Sequence, residues 1–156
     1  MDSLIQSNGL YLFNVIPKFV THWWYNKYFV RLIHEYIVAY LHETGKKGEA
    51  LAQEYLISSG FRILETNWQS NHQEIDIIAT KNDLVIIVEV KSRRSSYFGN
   101  PESSVTRQKQ KMLIKAANHY LALHRLNHEV RFDIIAIIFS AGNHQINHIE
   151  NAFYPV

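Results

Sequence analysis

The sequence predicts an α/β fold in which a mixed β-sheet lies between helices. Two observations predict it. From residue 44 onward, helical and strand patterns follow one another in the order α-β-β-β-α-β. The strand patterns are almost continuously apolar, as expected for strands that are covered on both faces. With 156 residues, of which 47% are hydrophobic, the chain is long enough for one domain with a sizeable core.

Each predicted element has its own local signals. Thr44 is placed to cap the first helix at its N-terminus, and Gly60 is placed to end it. A polar "KND" turn is expected to join the second strand to the third, and a loop with serine, glycine and proline precedes the second helix. The predicted helices cover residues 46–58 and 105–124. The predicted strands cover residues 61–66, 73–80, 83–91, 130–139 and, more briefly, 144–153.

Residues 1–43 are predicted to form a separate N-terminal extension, and residues 44–156 the α/β domain. The extension is rich in aromatic residues, but it lacks the basic start and the cleavage site of a secretory signal. Charged residues interrupt every window that is long enough to span a membrane. Apolar residues recur at helical spacing over residues 29–41, which predicts an amphipathic helix. It could pack on the domain, on a partner or on a membrane surface; packing is favoured, and membrane contact through residues 1–42 is disfavoured.

Composition excludes some kinds of site and points to one charged surface. The chain contains no cysteine, so disulfides and thiolate sites are excluded, and we expect the reducing environment of the cytoplasm. The net charge is only +2, but residues 91–115 hold a single acid, Glu102, among many basic side chains. Such a stretch is typical of a phosphate-binding surface and also of a solvated helix face, which charge alone favours. The basic residues are Lys91, Arg93, Arg94, Arg107, Lys109, Lys111 and Lys115.

Three charged residues lie in or at the end of strands that are otherwise apolar: Asp76, Glu89 and Lys91. Burying an unpaired charge costs several kcal/mol, so these positions require an explanation. Because side chains alternate along a strand, Glu89 and Lys91 point to the same face. Pairing of the two strands about the "KND" turn places Asp76 opposite residues 88–90. The two carboxylates are therefore expected to lie on adjacent strands near the same end.

Two neighbouring carboxylates repel each other unless a proton or a cation lies between them. Mg²⁺ is characteristically held by one or two carboxylates and keeps room for water and phosphate. The backbone carbonyl of Val90 could supply a further ligand, and the ammonium of Lys91 could orient a water or stabilise charge on a phosphate. A partly buried ion-pair cluster without chemistry is the alternative. The position of Asp76 and the basic stretch that follows favour the metal site.

Taken in order, these segments resemble the PD-(D/E)XK nuclease superfamily and, within it, the small bacterial YraN-like (UPF0102) family of endonuclease-like proteins. The resemblance covers residues 45–154. It rests on the segments "GKKGEALAQEYLISSGFRILETNW", "EIDIIA", "VEVKSR", "FGNPESSVTRQKQKML", "RFDIIAI" and "IENAF". Together they are fairly specific, whereas the E-x-K pattern alone is weak.

The resemblance implies a restriction-endonuclease-like core and an endonuclease that hydrolyses DNA, including branched or junction DNA, with Mg²⁺ or Mn²⁺. It implies that Asp76 and Glu89 bind the metal and that Lys91 is catalytic. Glu49 in "GKKGE" resembles the additional acid of such nucleases, although the helix dipole explains a glutamate in a first helical turn equally well. Nucleic-acid binding is assigned to the nearby basic residues Arg93, Arg94, Arg107, Lys109 and Lys111.

Three further residues near the predicted site could have either a role in the site or a structural or solvated role. Glu74 shares a face with Asp76 and could join the site or mark the exposed start of its strand. Asp133 could belong to the site or serve as a structural partner of Arg131. His72 lies near the site, but a solvated histidine is favoured.

The chain departs from the family pattern at two positions and in its extension. Gln73 stands where the family commonly has glycine, and Gln69 stands where it commonly has arginine, which removes a phosphate contact. Family members usually begin a few residues before "GKKGE". A translation start placed too far upstream would account for the extension, and a start at Val38 would leave a short leader.

Two other functions compete with the endonuclease. One is a nucleic-acid-binding protein that keeps the fold but has lost turnover, and the other is a membrane-surface protein that works through its aromatic extension. The presence of Asp76, Glu89 and Lys91 together favours the enzyme, because a degenerate copy usually loses one of them. DNA is the expected partner, and a homodimer is left open.

Overall fold

The computed structural model describes residues 23–71, 73–93 and 105–155, with side chains from residue 28 onward. The chain divides into two units, Met1–Leu41 and His42–Val156. Arg94 and His72, which the sequence analysis singled out, lie outside the described residues, as do the first 22 residues of the predicted extension.

Two helices and five strands make up the described structure, and their order along the chain is α-β-β-β-α-β-β. The helices are α1 (Trp23–Ser58) and α2 (Arg107–His124). The strands are β1 (Arg62–Ser70), β2 (Gln73–Lys81), β3 (Leu84–Arg93), β4 (Glu129–Ser140) and β5 (Asn143–Phe153). All five strands form one sheet in the order β1-β2-β3-β4-β5. Only β3 and β4 run parallel; the other neighbouring pairs are antiparallel.

The predicted fold class is confirmed, because a mixed sheet lies between helices. The first six elements of the described chain follow the restriction-endonuclease-like order α-β-β-β-α-β. The parallel pair requires a crossover connection, and α2 lies in that connection between β3 and β4. The last strand, β5, begins one residue before its predicted start and pairs along most of β4.

The predicted start of the first helix at Thr44 is wrong. Thr44 lies inside α1, which is a single helix of 36 residues that includes both predicted helical segments. The two glycines of "TGKKGE" weaken a helix without breaking it, and no proline interrupts this part of the chain. Among the described residues, no helix has the length and apolar character needed to cross a membrane.

The predicted end of the first helix is confirmed at Gly60. This glycine has a φ of +83°, in the left-handed region that favours glycine. Its N–H donates to the carbonyl of Ile57 at 3.0 Å, and the N–H of Phe61 donates to the carbonyl of Leu56 at 2.9 Å. These bonds are those of a Schellman motif, which satisfies carbonyls at the end of the helix and turns the chain into β1.

Each face of the sheet carries its own apolar core. On one face, Ile87 of β3 and Ile134 of β4 pack with buried residues of α2, namely Leu113, Ala116, Ala117 and Tyr120. On the other face, Ile86 and Ile135 pack with Ala52 and Leu56 of α1. Neighbouring residues of one strand thus enter different cores, which explains why the central strands are apolar without alternation. Full burial of one such side chain contributes about 1.5–3 kcal/mol.

Helix α1 approaches the sheet closely at Gly48, which is buried. A Cβ atom placed on Gly48 would lie 1.7 Å from Ser92 Oγ, 3.0 Å from Ser92 Cβ and 3.8 Å from Ile137 Cδ1. The helix can therefore reach β3 and β4 at this point only because residue 48 has no side chain.

Replacing Gly48 by alanine is expected to destabilise the fold by about 1–3 kcal/mol, because the new methyl group overpacks this contact. Gly45→Ala is the matched control in the same helix, since nothing lies within 4 Å of a Cβ at that position. There alanine should stabilise the protein by up to about 1 kcal/mol through its higher helix propensity. Urea unfolding followed by circular dichroism measures both changes. A stabilising effect of both substitutions would contradict the close contact.

Candidate active site

The β2–β3 hairpin brings the two predicted metal-binding acids together. Its two turn residues, Asn82 and Asp83, have φ values of 51° and 61°, as a type I′ turn requires. The turn sets a register in which Ile77 pairs with Val88. The ladder of paired residues ends there, and the next position would place Asp76 opposite Glu89, as counting about the turn predicts. The charge of Glu89 acts on Asp76 and helps to raise its pKa, so the two carboxylates lie near each other.

Asp76 is held by the backbone of the neighbouring strand. The N–H of Val90 donates a hydrogen bond to Asp76 Oδ2 at 2.7 Å. Because the N–H and C=O of one strand residue point to the same neighbouring strand, the Val90 carbonyl also points toward β2. This direction agrees with the proposed use of that carbonyl as a ligand beside Asp76.

Glu89 lies inside the protein, with only 3% of its surface exposed. Lys91 Nζ donates a hydrogen bond to Glu89 Oε1 at 2.6 Å. Lys109 Nζ lies 3.0 Å from Glu89 Oε2 and forms an ion pair with it. That contact lacks hydrogen-bond geometry, so the buried Oε2 atom accepts no hydrogen bond. Asp76, Glu89, Lys91 and Lys109 together are called the Glu89 cluster below.

Lys109 reaches Glu89 from the first turn of α2. Thr106 caps this helix, and its side chain accepts a hydrogen bond from the Lys109 N–H at 3.2 Å. Lys109 also lies on the apolar stripe of the helix, four residues after the buried Val105 and four before the buried Leu113. Lys109 was expected to bind phosphate, and its contact with Glu89 was not predicted. Its place on the core-facing stripe was the signal that could have revealed it.

The surroundings make a second negative charge costly in the Glu89 cluster. Burial, followed by the charge of Glu89, raises the pKa of Asp76 from 3.8 to about 7. The hydrogen bond from Val90 and the charges of Lys109 and Lys91 oppose this rise in the pKa. Near neutral pH, Asp76 therefore exchanges between its protonated and charged forms, and a cation that favoured the charged form would bind at the expense of the proton.

The cluster fits a hard divalent cation. It combines two carboxylates on neighbouring strands with a buried oxygen, Glu89 Oε2, that lacks a hydrogen-bond donor. Within residues 23–71, 73–93 and 105–155, no group of three or more histidine and acidic side chains could hold a metal ion. The protein ligands would thus be Asp76, Glu89 and the Val90 carbonyl. So few ligands suit Mg²⁺, which commonly keeps several waters.

Among the contacts of the Glu89 cluster given above, none involves Glu49 or Glu74. Glu49 follows Gly48 on α1, where the helix packs against Ser92, whereas Lys109 approaches Glu89 from α2 on the other face. Glu74 is exposed at the start of β2. The catalytic role of Glu49 and a place for Glu74 in the site stay predictions.

Asp133 belongs to a separate, fully bonded cluster on β4 and β5. Arg131 donates to both of its carboxylate oxygens at 2.9 and 2.8 Å, His148 Nε2 lies 2.8 Å from Oδ2, and the N–H of Asn151 donates to Oδ1 at 3.1 Å. Burial opposes the charged form, but the hydrogen bonds from His148 and Arg131 outweigh it and hold the pKa of Asp133 below its usual value. The structural interpretation of Asp133 is therefore favoured, since these bonds fasten β5 to β4 beside an irregularity in their pairing.

The remaining basic candidates lie beside the cluster along the chain. Arg93 is half-buried at the end of β3, and Arg107 and Lys111 are exposed on α2. Arg107 and Lys111 are solvated cations within two residues of Lys109 along the chain, and solvated cations suit contact with a polyanion.

Comparison with known proteins identifies the family. The model of the uncharacterised protein family UPF0102 matches residues 48–137, a range that includes α2, most of the sheet and all four residues of the Glu89 cluster. The chain belongs to the UPF0102 family.

A member from Flavobacterium psychrophilum is 46% identical over 112 residues, which are 72% of this chain and 94% of the relative. A member from Bacteroides thetaiotaomicron is 44% identical over 113 residues, again 72% of this chain and 93% of the relative. A member from Thermodesulfovibrio yellowstonii is 46% identical over 112 residues, 72% of this chain and 96% of the relative.

The raised pKa of Asp76 predicts how stability changes with pH. Its folded-state value of about 7 exceeds the unfolded value of 3.8, so the folded state binds more protons between these limits. The free energy of unfolding should therefore fall as pH rises from about 4 to about 7, by roughly 2–4 kcal/mol.

In metal-free buffer, Asp76→Asn should remove this fall and be more stable than the wild type above pH 7. Glu74→Gln, on the same strand but exposed, is the control and should keep the wild-type profile. Urea unfolding at a series of pH values tests this. A wild-type profile for Asp76→Asn would show that Asp76 does not carry the raised pKa.

Proposed function

We propose that this UPF0102 protein is an endonuclease that uses Mg²⁺, or Mn²⁺ in its place, to hydrolyse phosphodiester bonds of DNA. One observation carries the proposal. Asp76 and Glu89 lie side by side on adjacent strands, and the ammonium of Lys91 is 2.6 Å from a Glu89 oxygen. An arrangement of one buried carboxylate, one partly buried carboxylate and one lysine is costly for stability alone, and it suits phosphoryl chemistry. Apart from the cation it needs no cofactor.

Asp76, Glu89 and the Val90 carbonyl would hold the cation. When bound, it would supply Lewis-acid polarisation of the phosphate and a more acidic water. The protein itself supplies orientation. The Val90 N–H fixes Asp76 Oδ2 at 2.7 Å, and the sheet fixes Glu89, so neither carboxylate has to reorganise when substrate arrives.

Lys91 would stabilise the negative charge that develops on the phosphate. Its side chain is 30% exposed, whereas that of Glu89 is 3% exposed, so the ammonium stands between the buried carboxylate and the solvent from which DNA approaches. The hydrogen bond to Glu89 Oε1 directs this ammonium. A preorganised cation of this kind typically contributes about 10²–10³-fold in rate.

The basic residues would position the DNA. Arg93, Arg107 and Lys111, together with Arg94, surround the cluster along the chain and would neutralise phosphates without reading bases. Branched or junction DNA is the form of substrate that the resemblance to resolvase-like nucleases suggests. We place the activity in the cytoplasm, in agreement with the absence of cysteine from the sequence.

A DNA-binding protein without turnover is the second candidate. It is favoured by the two ammonium groups that already balance Glu89, from Lys91 at 2.6 Å and Lys109 at 3.0 Å. With those partners the carboxylate is neutralised without any metal ion, as a purely structural ion cluster would be.

A cleavage screen separates the two candidates. Duplex, single-stranded, flap and four-way DNA are incubated with Mg²⁺ or Mn²⁺, and we expect cleavage of at least one form. Lys91→Ala should reduce the rate by about 10²–10³-fold. Lys46→Ala, an exposed lysine of α1, is the control and should match the wild type. DNA binding without cleavage by the wild type would support the second candidate, and full activity of Lys91→Ala would contradict the role given to Lys91.

A further inference from the structure

We infer that Lys109 is an exchangeable counterion of the Glu89 cluster. In the metal-free protein its ammonium lies against Glu89 Oε2, and cation binding displaces it and makes it available to a DNA phosphate. This inference rests on the proposed metal site and adds a residue that couples metal binding to DNA binding.

The two lysines hold Glu89 in different ways. Lys91 donates a hydrogen bond to Oε1 at 2.6 Å, and its place two residues along the same strand keeps it there. Lys109 approaches Oε2 at 3.0 Å from another element, α2, and donates no hydrogen bond to it. The contact of Lys109 is therefore Coulombic only, and it is the one that a competing cation can replace at the smaller cost.

Charge balance gives the reason for displacement. In the metal-free cluster, two carboxylates face two ammonium groups. A divalent cation between Asp76 and Glu89 would leave an excess of positive charge at short range, where like charges repel strongly in a partly buried site. Lys109 can relieve this repulsion because its side chain is 31% exposed and flexible. Its ammonium can turn to solvent without unfolding any part of α2.

The displaced ammonium would remain next to the cation, on the turn of α2 that precedes Lys111. A DNA phosphate at the site would then meet one more positive charge when the cation is bound than when it is absent. Binding of the cation and of DNA should therefore strengthen each other, by the same factor in both directions. A lysine that only binds phosphate would contribute equally with and without the cation.

The first test is titration of the full chain with Mn²⁺ by isothermal calorimetry. Lys109→Met keeps the length of the side chain and removes the competing charge, so Mn²⁺ should bind roughly tenfold more tightly, a factor that corresponds to about 1.4 kcal/mol. Lys111→Met is the matched control, because Lys111 lies on the same helix but is exposed; its Mn²⁺ affinity should equal that of the wild type.

The second test measures binding of a labelled DNA duplex by fluorescence anisotropy, in EDTA and in Ca²⁺. Lys109→Met should weaken binding several-fold in Ca²⁺ and leave it unchanged in EDTA, whereas Lys111→Met should weaken it in both. Unchanged Mn²⁺ affinity of Lys109→Met, with Mn²⁺ bound by the wild type, would overturn the displacement and leave the metal site intact. Failure of the wild type to bind Mn²⁺ would overturn the inference together with the proposed metal site. Equal losses for Lys109→Met with and without Ca²⁺ would show a phosphate contact that does not depend on the cation.

Discussion

The buried carboxylate of Glu89 is the constraint on which the rest of the site depends. A charged group that is 3% exposed cannot persist in an apolar sheet without compensation. The structure provides that compensation from two elements, since Lys91 follows on β3 and Lys109 comes from α2. Asp76 faces Glu89 from β2. The carboxylate of Asp76 adds negative charge instead of balancing it. A purely structural cluster gains nothing from this fourth member, whereas a cation site requires it.

The fold positions this cluster through the register of one hairpin. Asn82 and Asp83 form a two-residue turn, and the ladder that follows runs to Ile77 and Val88, the chain neighbours of Asp76 and Glu89. A shift of one residue would move Glu89 to the opposite face, away from Lys109 of α2. Because apolar side chains fill both faces, the two-residue turn fixes the register, and the register fixes the site. The same cores hold α2 against the sheet and so place Lys109 within 3.0 Å of Glu89.

Features that depend on local pattern could be predicted from the sequence. The central strands, the turn between them and the end of the first helix at Gly60 are set by neighbouring residues, and the structure confirms them. The adjacency of Asp76 and Glu89 follows from counting residues on both sides of that turn. Membership of UPF0102 was also within reach, because several short motifs stand in a fixed order along the chain.

Features that depend on packing between distant elements could not be predicted in this way. Thr44 has the chemistry of a helix cap, but the helix was already formed before it, and a cap cannot act inside a helix. The core-facing stripe of α2 indicates that Lys109 faces the sheet, but its contact with Glu89 depends on where α2 lies on the sheet. The position of Glu49 relative to the site depends on which face of the sheet α1 covers, and the local sequence pattern does not show that face.

Crystals of the full chain grown with Mn²⁺ give the most direct measurement of the central claim, through the anomalous scattering of the metal. The account predicts a strong anomalous peak between the carboxylates of Asp76 and Glu89, with the Val90 carbonyl within about 2.0–2.5 Å of it. Crystals of Asp76→Asn should lose the peak. A wild-type map with no peak at these carboxylates at saturating Mn²⁺ would contradict it.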